Sequence, residues 1–187
     1  MMIFLPQKIY INLYFTQSGI SLHLNFNPFF MAVKYSFVTR WQLKAPLQDV
    51  WDAIYNSMEW PQWWRGVLSV IEIEKNDLTG INGVRNYTWK SLLPYQLTFN
   101  MRLTEKESLQ RLKGIAFGEL EGDGEWLFTQ KNGIVYIRYN WNVVTTKKWM
   151  DTFGFLLKPF FTFSHNTVMQ WGGKGLAKKL GTTLLKG

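Results

Sequence analysis

The feature that most constrains this chain is a run of alternating polar and apolar residues that extends, with short breaks, from residue 34 to residue 146. Strict alternation predicts half-buried strands. It recurs over residues 34–44, 67–75, 84–91, 95–106, 109–118, 124–131 and 134–146. The breaks contain turn residues, and Lys131-Asn132-Gly133 is the clearest hairpin signal among them. Consecutive strands with short connections predict one antiparallel meander rather than βαβ units.

Two short helices and one long helix accompany these strands. Ala45-Pro46 begins the first helix, and residues 59–64 predict a second, because Pro61 prevents continuation of the first. In the last forty residues, from Met150 to Gly175, apolar residues recur every three or four positions, which is typical of a helix. Lys158-Pro159 should kink or restart that helix.

The resulting order is β-α-α-β-β-β-β-β-β-α. It predicts an α+β fold in which a curved antiparallel sheet of about six to seven strands wraps around the long C-terminal helix. Gly172, Gly173 and Gly175 lower helix propensity, so we expect this end of the helix to lie close against the sheet. A sheet that curves around one helix encloses a space that large aromatic side chains can line.

The first 33 residues differ from the rest of the sequence. Between Met1 and Val33 the only formally charged side chain is Lys8. The segment has neither the basic start and apolar core of a signal peptide nor a window long enough to span a membrane. We expect residues 1–33 to form a poorly ordered extension and residues 34–187 to form a single ligand-binding domain in a cytoplasmic protein, with peripheral membrane contact as an open alternative.

The residue types present leave little equipment for catalysis or metal binding. The chain has no cysteine and two histidines, which excludes disulfides, thiolate zinc sites and cysteine nucleophiles. Ser164 and His165 are neighbours on a helix and point in different directions, so they are not a nucleophile–base pair. The acidic cluster Glu119, Glu121, Asp123 and Glu125 is interpreted as a solvated loop in preference to a calcium site. We therefore predict no metal, no cofactor and no assignable catalytic residue.

The net charge of +8 belongs entirely to the last third of the chain. Residues 1–125 are neutral, whereas residues 126–187 contain nine Lys and Arg and a single acid, Asp151. Lys174, Lys178 and Lys179 form a candidate basic docking face for an anionic membrane or an acidic partner, although a merely solvated helix face is the favoured interpretation. Nucleic-acid binding is disfavoured, because the aromatic residues follow the inward strand faces and not the lysine face.

Several local stretches resemble the START-like helix-grip superfamily, also called SRPBCC, and within it the polyketide cyclase/dehydrase and lipid-transport branch. They lie at residues 45–51, 60–64, 124–126, 139–141 and 172–177, and the similarity covers roughly residues 34–181. The resemblance implies an apolar small molecule or lipid held between sheet and helix. It transfers no active-site residue, because the superfamily shares no catalytic set.

Strand alternation and the inner stripe of the helix then select the residues expected around that ligand. The predicted cavity residues are Trp41, Tyr87, Trp89, Phe99, Met101, Phe117, Trp126, Tyr139, Trp141, Phe161, His165 and Met169. Three polar side chains, Arg85, Tyr139 and His165, are the candidate contacts for polar groups of the ligand. The alternative is a solid aromatic core in which Arg85 and Tyr139 satisfy backbone groups or reach the rim and His165 lies at the surface.

These observations favour a binding or carrier protein for a hydrophobic small molecule or lipid. The second hypothesis is an enzyme of the cyclase or aromatase type that folds a polyketide-like substrate in the same cavity. Arg85, Tyr139 and His165 would be its polar participants. Whether a reaction is catalysed stays open at this point, and a non-catalytic role is preferred.

Overall fold

The computed structural model describes residues 10–16, 19–25, 34–92, 94–146 and 148–187, with backbone alone for residues 10–25 and 148–157. The chain divides into two compact units, Met1–Met31 and Ala32–Gly187. The described part of the first unit is a hairpin in which β1 (Tyr10–Thr16) pairs antiparallel with β2 (Gly19–Asn25). No strand is predicted in this segment from the sequence. The rest of the predicted extension lies outside the described residues, so its disorder stays a prediction.

The second unit is built on an eight-stranded antiparallel sheet. Its strands are β3 (Lys34–Leu43), β4 (Val67–Glu74), β5 (Val84–Lys90), β6 (Gln96–Glu107), β7 (Arg111–Gly118), β8 (Leu120–Lys131), β9 (Ile134–Thr145) and β10 (Leu184–Lys186). Their spatial order is β10-β3-β9-β8-β7-β6-β5-β4, so β4 to β9 form an uninterrupted meander. The predicted hairpin between β8 and β9 is confirmed, since Asn132 and Gly133 have φ of 52° and 73°, as a type I′ turn requires.

The helices occupy the predicted positions. They are α1 (Leu47–Tyr55), α2 (Trp60–Trp63) after a 3₁₀ turn over Ser57–Glu59, and α3 (Lys148–Lys179), which continues through Pro159. The α+β class with a long C-terminal helix is confirmed. Within the described part of the chain, no helix combines the length and apolarity that a membrane span requires.

The glycines of α3 lie against α2 as well as against the sheet, whereas we expected contact with the sheet alone. A Cβ at Gly172 would overlap the indole of Trp64, and one at Gly175 would overlap the backbone carbonyl oxygen of Trp63. A Cβ at Gly173 would lie 3.0 Å from Nε1 of Trp41, on β3. The glycines therefore bring α3 against α2 as well as against the sheet, and they fix where the helix crosses the inner face.

One strand, β8, is longer than predicted, and another, β10, has no counterpart in the prediction. β8 begins at Leu120 and passes through the stretch Glu121 to Gly124 that was interpreted as a turn, because Glu121 pairs with Val144 and Gly124 with Trp141. β10 adds an eighth strand at the edge, with Leu184 opposite Leu43. Three residues are too short to show an alternating pattern, so this strand carries no sequence signal.

Candidate ligand cavity

A cavity of about 170 Å³ lies between the inner face of the sheet and α3. Aromatic and aliphatic side chains from β3, β5, β6, β8, β9, α2 and α3 form most of its wall, and polar groups are few. We call this space the first cavity. Its composition is that of a small-molecule site, in which apolar walls provide affinity and a few polar groups fix orientation.

The aromatic wall is held together by ring contacts. Trp126 stacks on Tyr139 with ring centroids 4.1 Å apart, and Tyr139 is also stacked with Trp141 at 5.8 Å. Trp64 meets Trp89 edge-on at 5.3 Å. Stacked and edge-to-face pairs of this kind restrict the rotation of each ring, so the wall is largely preformed.

Two tryptophans of this wall, Trp60 and Trp64, are held in place by hydrogen bonds to other elements. Nε1 of Trp64 donates to the carbonyl oxygen of Val168 in α3 at 2.9 Å, and Nε1 of Trp60 donates to that of Ala53 in α1 at 3.1 Å. Both indoles line the first cavity. The contact with Val168 is possible because Gly172 leaves room for the Trp64 ring on the helix surface.

His165 brings an ionisable ring to the first cavity. Its imidazole stacks on Phe37 with centroids 4.0 Å apart, and Nδ1 lies 3.5 Å from Oδ1 of Asn166. Burial lowers the pKa of His165 to about 4, against a small opposing effect of the Asn166 contact. The ring is therefore neutral at neutral pH. Among the described residues, its Nε2 is buried without a hydrogen-bond partner.

Trp89 on β5 also has a buried ring nitrogen without a hydrogen-bond partner among the described residues. Its Nε1 is buried and finds no acceptor within the described part of the chain. Trp89 and His165 thus each place a ring with an unsatisfied nitrogen in the wall of the first cavity. Among the described residues, Nε1 of Trp41 and of Trp63 is also buried without a partner, although both residues line neither cavity, so unpaired indole N–H groups belong to the tryptophan cluster and not to the cavity wall alone.

Tyr139 separates the first cavity from a second one. Burial raises the pKa of Tyr139 well above the usual tyrosine range, so its hydroxyl keeps its proton. Gly124 on the neighbouring strand makes room for this side chain, since a Cβ there would lie 2.8 Å from the Tyr139 hydroxyl and 2.8 Å from the Trp141 ring. The glycine is thus a requirement of the aromatic wall and not of a turn.

The second cavity has a volume of about 100 Å³ and a more polar wall. It shares five aromatic residues with the first cavity, namely Trp60, Trp89, Phe99, Trp126 and Tyr139. These residues form the partition between the two spaces. A ligand larger than either space would have to displace some of them.

A hydrogen-bonded chain lies in the wall of the second cavity. Nη1 of Arg85 donates to the carbonyl oxygen of Tyr55 at 3.0 Å and to Oγ of Ser57 at 2.9 Å. Oγ of Ser57 is 2.7 Å from the hydroxyl of Tyr87. Burial raises the pKa of Tyr87, although its contacts with Ser57 and Arg85 oppose the shift. Arg85 therefore does satisfy a backbone group, as the alternative interpretation proposed, while still lining a cavity.

The predicted cavity residues distribute over both spaces. Eight of them line the first cavity: Trp89, Phe99, Trp126, Tyr139, Trp141, Phe161, His165 and Met169. Tyr87 and Met101 line the second cavity together with Arg85. Trp41 is 1% exposed and packs against Trp64 and Trp126, but it lines neither cavity.

Phe117 lies on the opposite side of the sheet from the position we expected. It pairs with Asn100 in β6, whereas the buried Ala116 pairs with Met101. The inward residues of β7 are Leu112, Gly114 and Ala116. Small side chains are needed there because Met101 occupies the space, with its Cε 3.0 Å from the position of a Cβ at Gly114. Ile115 and Phe117 of β7 consequently face outward.

Sequence analysis missed several lining residues. Trp60 and Trp64 belong to a tryptophan-rich stretch that was noted but not placed at the cavity, because the position of α2 depends on tertiary packing. Tyr35 and Phe37 share the inward phase of β3 with Trp41, and both line the first cavity. The alternation of β3 was the signal for these two, although only Trp41 was selected from it.

The predicted basic face consists of exposed lysines in different electrostatic surroundings. Lys174, Lys178 and Lys179 are all exposed on α3. Nζ of Lys179 lies 2.9 Å from Oε2 of Glu59. The charge of Lys179 is thus partly compensated.

The side chains of the acidic stretch form an ion pair and hydrogen bonds with other residues of the same chain. Glu125 pairs with Arg111 at 2.7 Å, and the hydrogen bond from Asn140 lowers the pKa of Glu125. Asp123 accepts a hydrogen bond from Asn142. Among the described residues, no group of three or more His, Asp or Glu side chains is arranged to hold a metal ion.

Comparisons with known proteins identify the architecture. No family model and no curated protein matches the sequence. Among solved structures, the protein TTHA0849 from Thermus thermophilus superimposes with a TM-score of 0.67 at 14% identity, over 78% of this chain and 97% of that chain. A START superfamily protein from Mycobacterium smegmatis gives a TM-score of 0.62 at 7% identity, over 79% and 97% of the two chains. The chain has a START-like fold.

A third similar structure is an aromatase/cyclase. The Zhui aromatase/cyclase from Streptomyces sp. R1128 has a TM-score of 0.66 at 9% identity, over 80% of this chain and 94% of that chain. The resemblance drawn from the sequence is confirmed for the fold. The aromatic cavity lies between the sheet and the long C-terminal helix of this fold.

Proposed function

We propose that this START-like protein is a binding or carrier protein that holds a hydrophobic small molecule or lipid in the first cavity. The observation that carries the proposal is the aromatic wall between sheet and α3, which is preformed and almost free of polar groups. Removing an apolar molecule from water into such a space is favourable in proportion to the area buried. The histidine of this wall, His165, is neutral at neutral pH, and among the described residues its ring is not paired with a nucleophile or an acid.

The size of the cavity limits what it holds without rearrangement. An engineered protein cavity of about 150 Å³ binds benzene, and the first cavity has about 170 Å³. A single ring therefore fits the space as it stands. A lipid chain or a multi-ring molecule would need the partition to move, so that the second cavity joins the first.

A pair of matched substitutions tests the carrier proposal. Val143 is 3% exposed and lines the first cavity, whereas Val38 is 49% exposed. The purified full chain is extracted with organic solvent, and the extracted molecules are identified by mass spectrometry. We expect Val143→Phe to lower ligand occupancy at least tenfold, because the larger ring fills the cavity, and Val38→Phe to retain it. Equal occupancy in both variants, or no bound molecule in the unmodified protein, would contradict the proposal.

A second candidate function is a cyclase-type reaction, and the chain of Arg85, Ser57 and Tyr87 favours it. A guanidinium beside two hydroxyl groups is suited to hold a substrate carbonyl and to stabilise negative charge that develops on its oxygen. The cavity would supply proximity by folding a flexible chain. Tyr139, in the partition, and His165, in the first cavity, are the further polar side chains available.

Turnover of a poly-β-carbonyl thioester, followed by mass spectrometry, distinguishes this candidate from a carrier. A cyclase should release a product that has lost water, and Arg85→Met should abolish the reaction while binding of an apolar dye persists. His165→Ala reports whether the first cavity takes part, and Tyr139→Phe reports whether the hydroxyl in the partition does. Absence of product with the unmodified protein, or an unchanged rate in Arg85→Met, would exclude the role assigned to this chain of residues.

We further propose that the exposed lysines of α3 bring the protein to anionic membranes. Each lysine near such a surface contributes about 1 kcal/mol, and Lys174 and Lys178 are exposed. The double variant Lys174→Glu/Lys178→Glu should reduce sedimentation with phosphatidylserine vesicles. A control variant with the same charge change at the exposed Lys75 and Lys131 should not. Equal partitioning of the two variants would refute membrane docking at this face.

A further inference from the structure

Arg85 differs from the other arginines of the chain in how its charge is balanced. Three of the six arginines are exposed, so that water solvates their charge: Arg40, Arg65 and Arg138. Arg85, Arg102 and Arg111 are half-buried. Arg102 pairs with Glu74 at 3.0 Å and Arg111 with Glu125 at 2.7 Å, whereas Arg85 forms no ion pair with any described residue. Since removing a charge from water is costly unless a partner compensates it, Arg85 has an unused capacity to bind an anion.

The hydrogen bonds of Arg85 leave one edge of its guanidinium open. Nη1 donates both to the carbonyl oxygen of Tyr55 at 3.0 Å and to Oγ of Ser57 at 2.9 Å. Nε and Nη2 have no hydrogen bond of good geometry to a described residue. They are not buried either, because the buried nitrogens without a partner in the described part of the chain all belong to tryptophan and histidine rings. The N–H groups of this edge are parallel and match the two oxygens of a carboxylate.

Among the described residues, no carboxylate lines the second cavity. Its two charged side chains are Arg85 and Lys113, and Lys113 is paired with Glu105 at 3.3 Å. Glu72 lies opposite Arg85 in the register of β4 and β5, yet the two form no ion pair. The Tyr87 hydroxyl contacts Arg85, but burial raises the pKa of Tyr87, so this hydroxyl brings no negative charge. The uncompensated charge at this cavity is therefore positive.

The rest of the wall determines which kind of molecule could carry the carboxylate. Ile54, Phe99, Leu103 and Leu112 give the second cavity an apolar side, and its volume is about 100 Å³. A cavity of about 150 Å³ holds benzene, so the smaller space suits an aliphatic chain of about two or three carbons. Such a chain gains free energy from burial against these side chains.

We propose that the second cavity is a separate binding site for short-chain carboxylates, in which Arg85 binds the carboxylate group. Tyr55 and Ser57 hold Nη1 and thereby orient the open edge of the guanidinium. The site goes beyond the proposed carrier function, since that function uses the first cavity. It also differs from the cyclase candidate, in which the same arginine holds an uncharged carbonyl group.

A nuclear magnetic resonance titration of the full chain with propanoate and propanamide at pH 7 tests the proposal. The two probes have the same shape and the same number of non-hydrogen atoms, but only propanoate is charged. The backbone amide signals of Arg85, Met101 and Leu112 report binding at the second cavity. We expect propanoate to bind about tenfold more tightly than propanamide, because hydrogen bonds between charged groups are stronger than those to a neutral amide.

Arg85→Met and Arg102→Met form a matched pair of variants. Arg102 follows Met101 on β6, so it lies on the other face of the sheet, and it lines neither cavity. Both variants lose one positive charge, so a general effect of net charge would be the same in each. Arg85→Met should abolish the preference for propanoate, and Arg102→Met should retain it. Arg85→Lys keeps the charge without the bidentate edge and should bind propanoate with intermediate affinity.

The other outcomes contradict the proposal in distinguishable ways. Equal binding of both probes that is lost in Arg85→Met would mean that the arginine binds an uncharged carbonyl group, as the cyclase candidate requires. A preference for propanoate that persists in Arg85→Met, or that falls equally in Arg102→Met, would overturn the assignment to Arg85. Absence of binding by either probe would overturn the site and leave the carrier function of the first cavity intact.

Thermal unfolding of each variant verifies that it folds. If Arg85→Met does not fold, the affinity of Arg85→Lys and the ratio of the two dissociation constants in the unmodified protein decide the matter.

Discussion

His165 is the residue at which the chemistry of the first cavity can be controlled by pH. Its ring is stacked on Phe37 and buried, so the imidazolium form is disfavoured relative to water. The histidine therefore contributes a neutral nitrogen to an apolar wall under ordinary conditions. Acidification converts the same position into a buried cation.

This arrangement predicts a specific loss of stability in acid. The unfolded chain takes up a proton at His165 near pH 6.5, whereas the folded protein does so only near pH 4. The stability is fully present above pH 6.5 and is lost as the pH falls toward 4. Between pH 7 and pH 5 the free energy of unfolding should fall by roughly 2 kcal/mol through this group. Urea unfolding of the unmodified protein and of His165→Leu at both pH values measures the difference.

The comparison between the two proteins cancels the other titrating groups, including His23, which both retain. We expect a smaller pH dependence in His165→Leu by about the stated amount. Equal pH dependence in both proteins would mean that His165 is not shielded from solvent in solution.

How far single residues could be predicted from the sequence depended on whether a strand has one apolar face or two. On β9, polar neighbours flank Tyr139 and Trp141, so alternation placed both on the inner face. On β7 both faces contain apolar residues, and the inward one is occupied by the small Gly114 and Ala116. The large side chain of Phe117 therefore suggested that its face of β7 points inward, which is wrong. Only the volume taken by a side chain of the adjacent strand determines which face is inward, and a single sequence does not contain that information.

At the scale of elements, the contact between α2 and α3 determines the shape of the cavity. Trp64 enters the surface of α3 at Gly172 and donates to Val168 four residues earlier. The sequence predicted that glycines in α3 mark a close approach. It did not predict the partner, because α2 has four residues and no pattern of its own that indicates its orientation.

Gly172→Ala should destabilise the protein even though alanine favours helices. The substitution gains about 1 kcal/mol of helix propensity, but its methyl group would overlap the Trp64 ring, and overpacking of this kind costs about 1–3 kcal/mol. We expect a net loss of up to about 2 kcal/mol in urea unfolding. Gln170→Ala, exposed on the same helix, should change stability by less than about 0.5 kcal/mol. A gain in stability for Gly172→Ala would show that the ring does not occupy this position.

For the whole molecule, the main consequence of the fold is an interior divided into two unequal spaces. The sheet and α3 enclose the first, whereas the sheet, α1, the 3₁₀ turn and α2 enclose the second, and the partition consists of side chains and not of backbone. The overall architecture followed from the order of elements. The division did not, because it depends on how five aromatic rings from five elements meet.

Removing the centre of the partition should enlarge the range of ligands. Trp126 lines both cavities, and Trp126→Leu would join them at a cost of about 2–4 kcal/mol in stability. We expect tighter binding of 1-naphthol relative to p-cresol in this variant, measured by calorimetry. Trp41→Leu is the control, since Trp41 is equally buried but lines neither cavity. If both variants gain naphthol binding equally, loosening of the core and not removal of the partition is responsible.

The tryptophans around the cavity also form an optical unit. The centroids of Trp60 and Trp64 are 4.9 Å apart, those of Trp64 and Trp89 are 5.3 Å apart, and those of Trp60 and Trp126 are 6.3 Å apart. Indoles at such separations share their electronic excitations, so absorbed light is delocalised over the group and produces a paired positive and negative band in circular dichroism. Any guest that rotates one of these rings changes the whole band, and the protein thereby carries its own label-free signal of occupancy.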